Sequence, residues 1–130
     1  MKLKQLTLAL LEECDECKPR HAQMREEDRE PDFFSEVKPY ADRVHAMIAD
    51  WKSEAERWIG AERPKYVRMP QIDNAADMMT QFVVQSFYKG TGKKRFYQSI
   101  QSVQYTLKIV LEALEEGKAD GIDEEKEDGQ

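Results

Sequence analysis

A long run of apolar residues at helical spacing, between Asp32 and Arg63, constrains the fold more than any other feature of the sequence. Its members recur in steps of three and four: Phe34, Val37, Ala41, Val44, Ile48, Trp51, Ala55 and Trp58. Residues so spaced share one face of an α-helix. The stripe is about 36 Å long at about 1.5 Å per residue, so other helices must cover it. We therefore predict a long amphipathic helix, capped by Asp32 or Ser35 and ending near Ala61.

The N-terminal segment shows the same spacing, from Leu3 onward. The apolar or small residues on its face are Leu3, Thr7, Leu10, Cys14, Cys17, His21 and Met24. Pro19 interrupts this segment, and a proline inside a helix removes one backbone hydrogen bond and clashes with the preceding turn. We expect a first helix with a kink or a break near residues 15–18.

Two later segments complete the pattern. The third helix is expected to begin at Pro70 and to be closed by Gly90, with Ile72, Ala76, Met79, Phe82, Val83 and Phe87 on one face. The fourth helix is expected to run from Lys93 to Gly117. Four amphipathic helices with short connections predict an all-α, antiparallel up-down-up-down four-helix bundle over residues 1–117. The expected core consists of Val44, Ile48, Trp51, Trp58, Met79, Phe82, Ile100, Val103, Leu107 and Val110.

Charge is concentrated at the C-terminal end. Residues 118–130 contain six acidic and two basic residues and so carry −4 of the total net charge of −6. This composition predicts a disordered acidic tail beside a nearly neutral folded body. No apolar run reaches the 18 or so residues of a membrane span, and the start of the chain lacks the features of a signal peptide. We expect a cytoplasmic protein without a membrane association.

Four segments also carry a family resemblance: PDFFSEVKP at 31–39, RPKYV at 63–67, KKRF at 93–96 and VQYTL at 103–107. Their order and spacing resemble the YppE-like family of small uncharacterised proteins from Gram-positive bacteria, over about Leu6 to Leu114. The resemblance implies a four-helix bundle. It implies no activity, cofactor or site residue, and Pro19 and the acidic tail depart from the family pattern.

A metal site is one alternative that the residues leave open. Cys14, Cys17 and His21 share a helical face, and such soft ligands can hold zinc or a cuprous ion with a fourth group such as His45. Structural zinc sites usually take their Cys-x-x-Cys from a turn, however, and the helical stripe already explains these residues as core. We therefore expect no metal and no cofactor. No catalytic Ser/His/Asp set and no phosphate-binding loop occurs, and we expect no enzymatic activity.

The connection after the second helix is the predicted partner-binding site. Arg63, Lys65, Tyr66 and Arg68 gather there beside Pro64, where no helical stripe requires basic residues. A stiff loop with cations beside an aromatic ring suits an acidic partner segment or a phosphate. The alternative is that Tyr66 caps the end of the bundle and the cations are merely solvated.

These observations favour a non-catalytic interaction protein, an adaptor or regulator, with an unknown protein partner. Binding of nucleic acid or another polyanion through the loop cations ranks second, since a nearly neutral body and an acidic tail count against it. A metal-binding bundle using Cys14, Cys17 and His21 ranks third. We expect a monomer or a weak dimer.

Overall fold

The computed structural model describes the backbone of residues 1–126 and the side chains of residues 1–117. It contains α1 (Lys2–Glu27), α2 (Lys38–Glu62), α3 (Met69–Gln85) and α4 (Lys93–Lys126), with a π-helical turn, Phe33–Val37, leading into α2. Residues 1–126 contain no strand, which confirms the all-α prediction. The helices within this range are too short or too polar for any of them to cross a membrane.

The helices pack as a closed ring, in which α1 and α3 each contact both α2 and α4. Thr7 of α1 contacts Trp51 of α2. Along two pairs of neighbouring helices, the residue number rises in one helix as it falls in the other: Lys4 contacts Glu115 and Asp15 contacts Gln104 between α1 and α4, and His45 contacts Thr80 and Lys52 contacts Asp73 between α2 and α3. This is the antiparallel order that an up-down-up-down bundle requires.

The buried residues follow the predicted stripes, except that Phe34 lies in the π-helical turn before α2 and is exposed. Nine of the ten expected core residues are buried, and the seven residues of the stripe on α1 are buried as well. Trp58 is the exception, because it is only partly buried and packs against the edge of the core. Asp32 caps the π-helical turn Phe33–Val37 and not α2 itself, whose N-cap position is Val37. The Oδ1 of Asp32 accepts hydrogen bonds from the backbone N–H of Phe34 and Ser35 at 3.0 and 3.2 Å.

Pro19 does not break α1, which is assigned as helix from Lys2 to Glu27. The proline side chain is exposed, so the carbonyl of Asp15 that loses its helical partner lies on the solvent side of the helix. Buried Cys17 and His21 flank Pro19 on the opposite side. Their packing holds the helix together against the cost of about 3 kcal/mol that an interior proline carries.

The predicted end of the third helix at Gly90 is wrong, because α3 ends at Gln85. Past this point the backbone N–H of Phe87 donates to Val84 and that of Tyr88 to Gln85, at 3.1 and 3.0 Å. These bonds span three residues instead of four and tighten the chain into a turn. Phe87 therefore leaves the face of α3 on which its spacing placed it.

The predicted end of the fourth helix at Gly117 is also wrong, because the backbone of α4 continues to Lys126. Gly117 does not adopt the left-handed φ of a C-terminal glycine cap, and a glycine inside a helix costs only about 1 kcal/mol relative to alanine. Residues 127–130 lie outside the described residues, and the disordered acidic tail predicted for residues 118–130 stays a prediction.

Candidate functional site

The connection between α2 and α3 is held in one conformation by Arg68. The Nη1 of Arg68 donates to the carbonyl oxygens of Pro64, Lys65 and Val67 at 2.9, 3.1 and 3.2 Å. Its backbone N–H donates to Oε1 of Gln71 at 2.6 Å, which fixes the start of α3. The guanidinium of Arg68, which was predicted to contact a partner, therefore forms its hydrogen bonds within its own loop.

The other three predicted site residues are exposed. Arg63 ends α2 in the left-handed conformation, with φ of 48°, and its backbone N–H donates to Ile59 at 3.0 Å. Lys65 is exposed, and the side chain of Tyr66 is 70% exposed. The bundle end is closed instead by Val67, which is 1% exposed and belongs to the core. The alternative in which Tyr66 caps the bundle is therefore wrong.

Tyr66 faces a groove that the sequence did not indicate. The groove has a volume of about 410 Å³ and is lined by Tyr66, Gln71, Tyr105, Ile109, Glu112, Ala113 and Glu116. Tyr105 is 68% exposed, so the groove presents two aromatic rings to solvent. One feature of the sequence could have indicated the groove. Tyr105 is an aromatic residue that lies off the buried stripe of α4, which runs through Val103 and Leu107.

The residues of the alternative metal site, which the sequence did not favour, form separate contacts. Cys17 Sγ donates to Oε2 of Glu13 at 3.4 Å, whereas His21 Nε2 donates to the carbonyl of Thr91 at 3.0 Å. Burial raises the pKa of Cys14 to about 12 and also raises the pKa of Cys17, which opposes the thiolate form that a metal needs. No group of three or more His, Cys, Asp or Glu side chains is placed to hold a metal within residues 1–117.

A hydrogen-bonded network that the sequence did not predict joins α1, α2 and the turn after α3. Arg20 lies at its centre: Nη1 contacts Glu13 Oε2 at 3.2 Å and Ser86 Oγ at 2.9 Å, and Nη2 donates to Tyr40 OH at 2.7 Å. The hydroxyl of Tyr40 donates to Oε1 of Glu13. The guanidinium also lies over the rings of Tyr40 and Phe87, 4.4 and 4.8 Å from their centroids.

The electrostatics of this network favour the charged Arg20. Burial opposes the positive charge, but the attraction of Glu13 prevails and raises the pKa of Arg20. Burial, together with the hydrogen bond to Glu13, raises the pKa of Tyr40 and keeps its hydroxyl protonated. The groups satisfy one another, so the network orients α1, α2 and the end of α3.

The opposite end of the bundle carries a different set of exposed groups. The rings of Phe33 and Phe34 meet edge to face at 5.3 Å, and Phe34 is 77% exposed. Lys89 Nζ pairs with Asp28 Oδ1 at 2.7 Å, which joins the first and third connections. A second basic cluster, Lys89, Lys93, Lys94 and Arg95, lies at this end. It is therefore separated from Arg63, Lys65 and Arg68, and the two clusters do not form one continuous surface.

The fold and the groove define an all-α helical-bundle protein with an exposed aromatic surface at one end. Residues 7–114 match the bacterial domain of unknown function DUF1798, and the chain belongs to this family. It is 30% identical over 112 residues to the uncharacterised protein YppE of Bacillus subtilis, with 86% of this chain and 91% of that protein covered.

Two solved structures have the same fold. The crystal structure of YppE superimposes with a TM-score of 0.85 at 29% identity, covering 90% of this chain and 95% of that one. A protein of unknown function from Listeria innocua gives a TM-score of 0.84 at 28% identity, covering 92% and 95%. These similarities confirm the YppE-like resemblance and the bundle class, and the relatives' names state no activity.

Proposed function

We propose that this protein is a non-catalytic interaction module that contacts a protein partner through the connection between α2 and α3. The observation that carries the proposal is Tyr66, whose side chain is 70% exposed on a loop fixed by three hydrogen bonds from Arg68. An exposed aromatic ring has no folding role that accounts for this placement, because Val67 closes the core beneath it.

The rigidity of the loop favours binding. A segment that is already ordered loses less conformational entropy when a partner docks. Tyrosine and arginine are also among the residues that contribute most to interface energy. In this proposal Tyr66 is the anchor, Lys65 and Arg63 are the flanking cations, and Arg68 holds the backbone in its binding conformation.

The experiment compares two double variants with the wild-type protein in affinity capture from the native host. The test variant is Lys65→Ala/Tyr66→Ala. The matched control is Phe34→Ala/Lys94→Ala, which removes one exposed aromatic and one exposed lysine near the opposite end of the bundle. Captured proteins are quantified by mass spectrometry, and thermal unfolding verifies that both variants fold.

We expect at least one protein to be retained by wild type and control and to fall at least tenfold with the test variant, which corresponds to about 1.4 kcal/mol. Equal retention by all three proteins would contradict the proposal. Loss with the control alone would instead place the contact surface at the end formed by the first and third connections.

A further inference from the structure

We propose that the groove between Tyr66 and Tyr105 binds a basic side chain, lysine or arginine, of the partner protein. This inference rests on the proposed function and adds the chemistry of the ligand. Five residues of α4 line one side of the groove. Four of them, Tyr105, Ile109, Glu112 and Glu116, are spaced by four, three and four residues, which places them on one helical face.

The charge of the groove is negative. Among the side chains of residues 1–117, Glu112 and Glu116 are the only ionisable groups that line it besides the two tyrosines, and Lys65 is not among them. Neither glutamate forms an ion pair with any side chain of residues 1–117. Carboxylates four residues apart on a helix repel each other, so a cation between them relieves this repulsion.

The apolar part of the groove suits the stem of the same side chain. Lysine and arginine carry a hydrocarbon stem that packs on apolar surface while the charged end stays near water. Ile109 and Ala113 supply that surface, and the two tyrosine rings supply the faces on which a cation is attracted.

The protein already contains this recognition pattern in its interior. The guanidinium of Arg20 lies 4.4 Å from the ring centroid of Tyr40 and 4.8 Å from that of Phe87, and it contacts the carboxylate of Glu13 at 3.2 Å. Two aromatic rings and a carboxylate thus hold one guanidinium there. The groove offers two aromatic rings and carboxylates at the surface, and the partner protein supplies the cation.

The test is a titration of the ¹⁵N-labelled full-length protein with two small probes, followed by NMR. The first probe is N-acetyl-arginine amide, and the second is N-acetyl-citrulline amide, which has nearly the same shape without the charge. We expect the arginine probe to shift the amide signals of Tyr66, Tyr105, Ile109 and Glu112 saturably, and the citrulline probe to bind at least tenfold more weakly. Equal binding of the two probes, or shifts spread over the whole bundle, would overturn the inference.

Two variants test the groups that recognise the cation. Glu112→Gln/Glu116→Gln and Tyr105→Ala should each weaken binding of the arginine probe at least fivefold. The control Glu12→Gln/Glu56→Gln makes the same change in net charge at two exposed positions outside the groove and should leave binding unchanged. A control that weakens binding as much as the test variant would show a general charge effect and refute the groove.

The partner capture described above separates failure of this inference from failure of the proposed function. If Glu112→Gln/Glu116→Gln captures the partner as well as wild type while Lys65→Ala/Tyr66→Ala does not, the interaction stands and the basic ligand is wrong. If Lys65→Ala/Tyr66→Ala also captures normally, the proposed function itself fails.

Discussion

The buried pair of Glu13 and Arg20 permits a quantitative test of the packing between α1, α2 and α3. We expect Arg20→Met to lower the free energy of unfolding by about 3 kcal/mol. Removing one member of a buried ion pair costs about 3–5 kcal/mol, because the other charge stays buried without its partner. The lower end applies here, since the side chains of Arg20 and Glu13 retain 16% and 8% exposure and the hydroxyl of Tyr40 still donates to Glu13.

A double-variant cycle measures whether the cost arises from the pair. Glu13→Leu alone should also be destabilising, because it leaves the guanidinium of Arg20 without its carboxylate. Glu13→Leu/Arg20→Met removes both charges and should be less destabilised than the sum of the single variants by at least about 1.5 kcal/mol. Urea unfolding at pH 7, followed by far-ultraviolet circular dichroism, gives all four free energies. A loss under about 0.5 kcal/mol for Arg20→Met, or additive losses, would refute the pairing.

Three further expectations concern the core, the tail and pH. Trp51 is fully buried and Trp58 only partly so, so Trp51→Ala should cost about 3–5 kcal/mol in urea unfolding and Trp58→Ala distinctly less. Removal of residues 118–130 should change the melting temperature by no more than a few degrees, because the apolar stripe of α4 ends at Leu114; a larger drop would show that they pack on the bundle. Burial lowers the pKa of His21 below its usual 6.5, so the unfolded chain binds a proton first as the pH falls, and the free energy of unfolding should decrease below about pH 6.5. His21→Gln, which keeps a donor for Thr91, should lose this component of the pH dependence.

The helices and most of the core could be predicted from the spacing of apolar residues. Ile48 and Leu107, for example, are buried because each lies on the one face of its helix that packs on the others. The helix ends were harder to predict, because they depend on which hydrogen bonds the last residues of each helix form. Ser86 illustrates this, since its Oγ donates to the carbonyl of Val83 at 2.6 Å in the turn that ends α3. Gly90 and Gly117 did not mark the ends of the third and fourth helices.

The buried network could not be predicted, because its members are far apart in sequence. Glu13 and Arg20 lie on the flank of the stripe of α1, where charged residues are normally solvated. They are buried because Tyr40 of α2 and Phe87 of the turn after α3 pack beside them. The sequence placed Phe87 on the third helix, whereas it lies in the turn after α3. The sequence therefore did not indicate that the ring of Phe87 covers Arg20.

The three cations of the predicted binding site have different environments in the structure. Arg63, Lys65 and Arg68 are equivalent as cations in the sequence, but only Arg68 turns back on the carbonyls of its own loop. The conformation that makes Arg68 unavailable is the one that exposes Tyr66 and buries Val67. One cation of the predicted basic cluster therefore stabilises the loop on which the other two are exposed, and partner binding at this connection stays a prediction. The groove beside it carries the opposite charge through Glu112 and Glu116, so the same connection borders a cationic and an anionic surface, with Tyr66 between them.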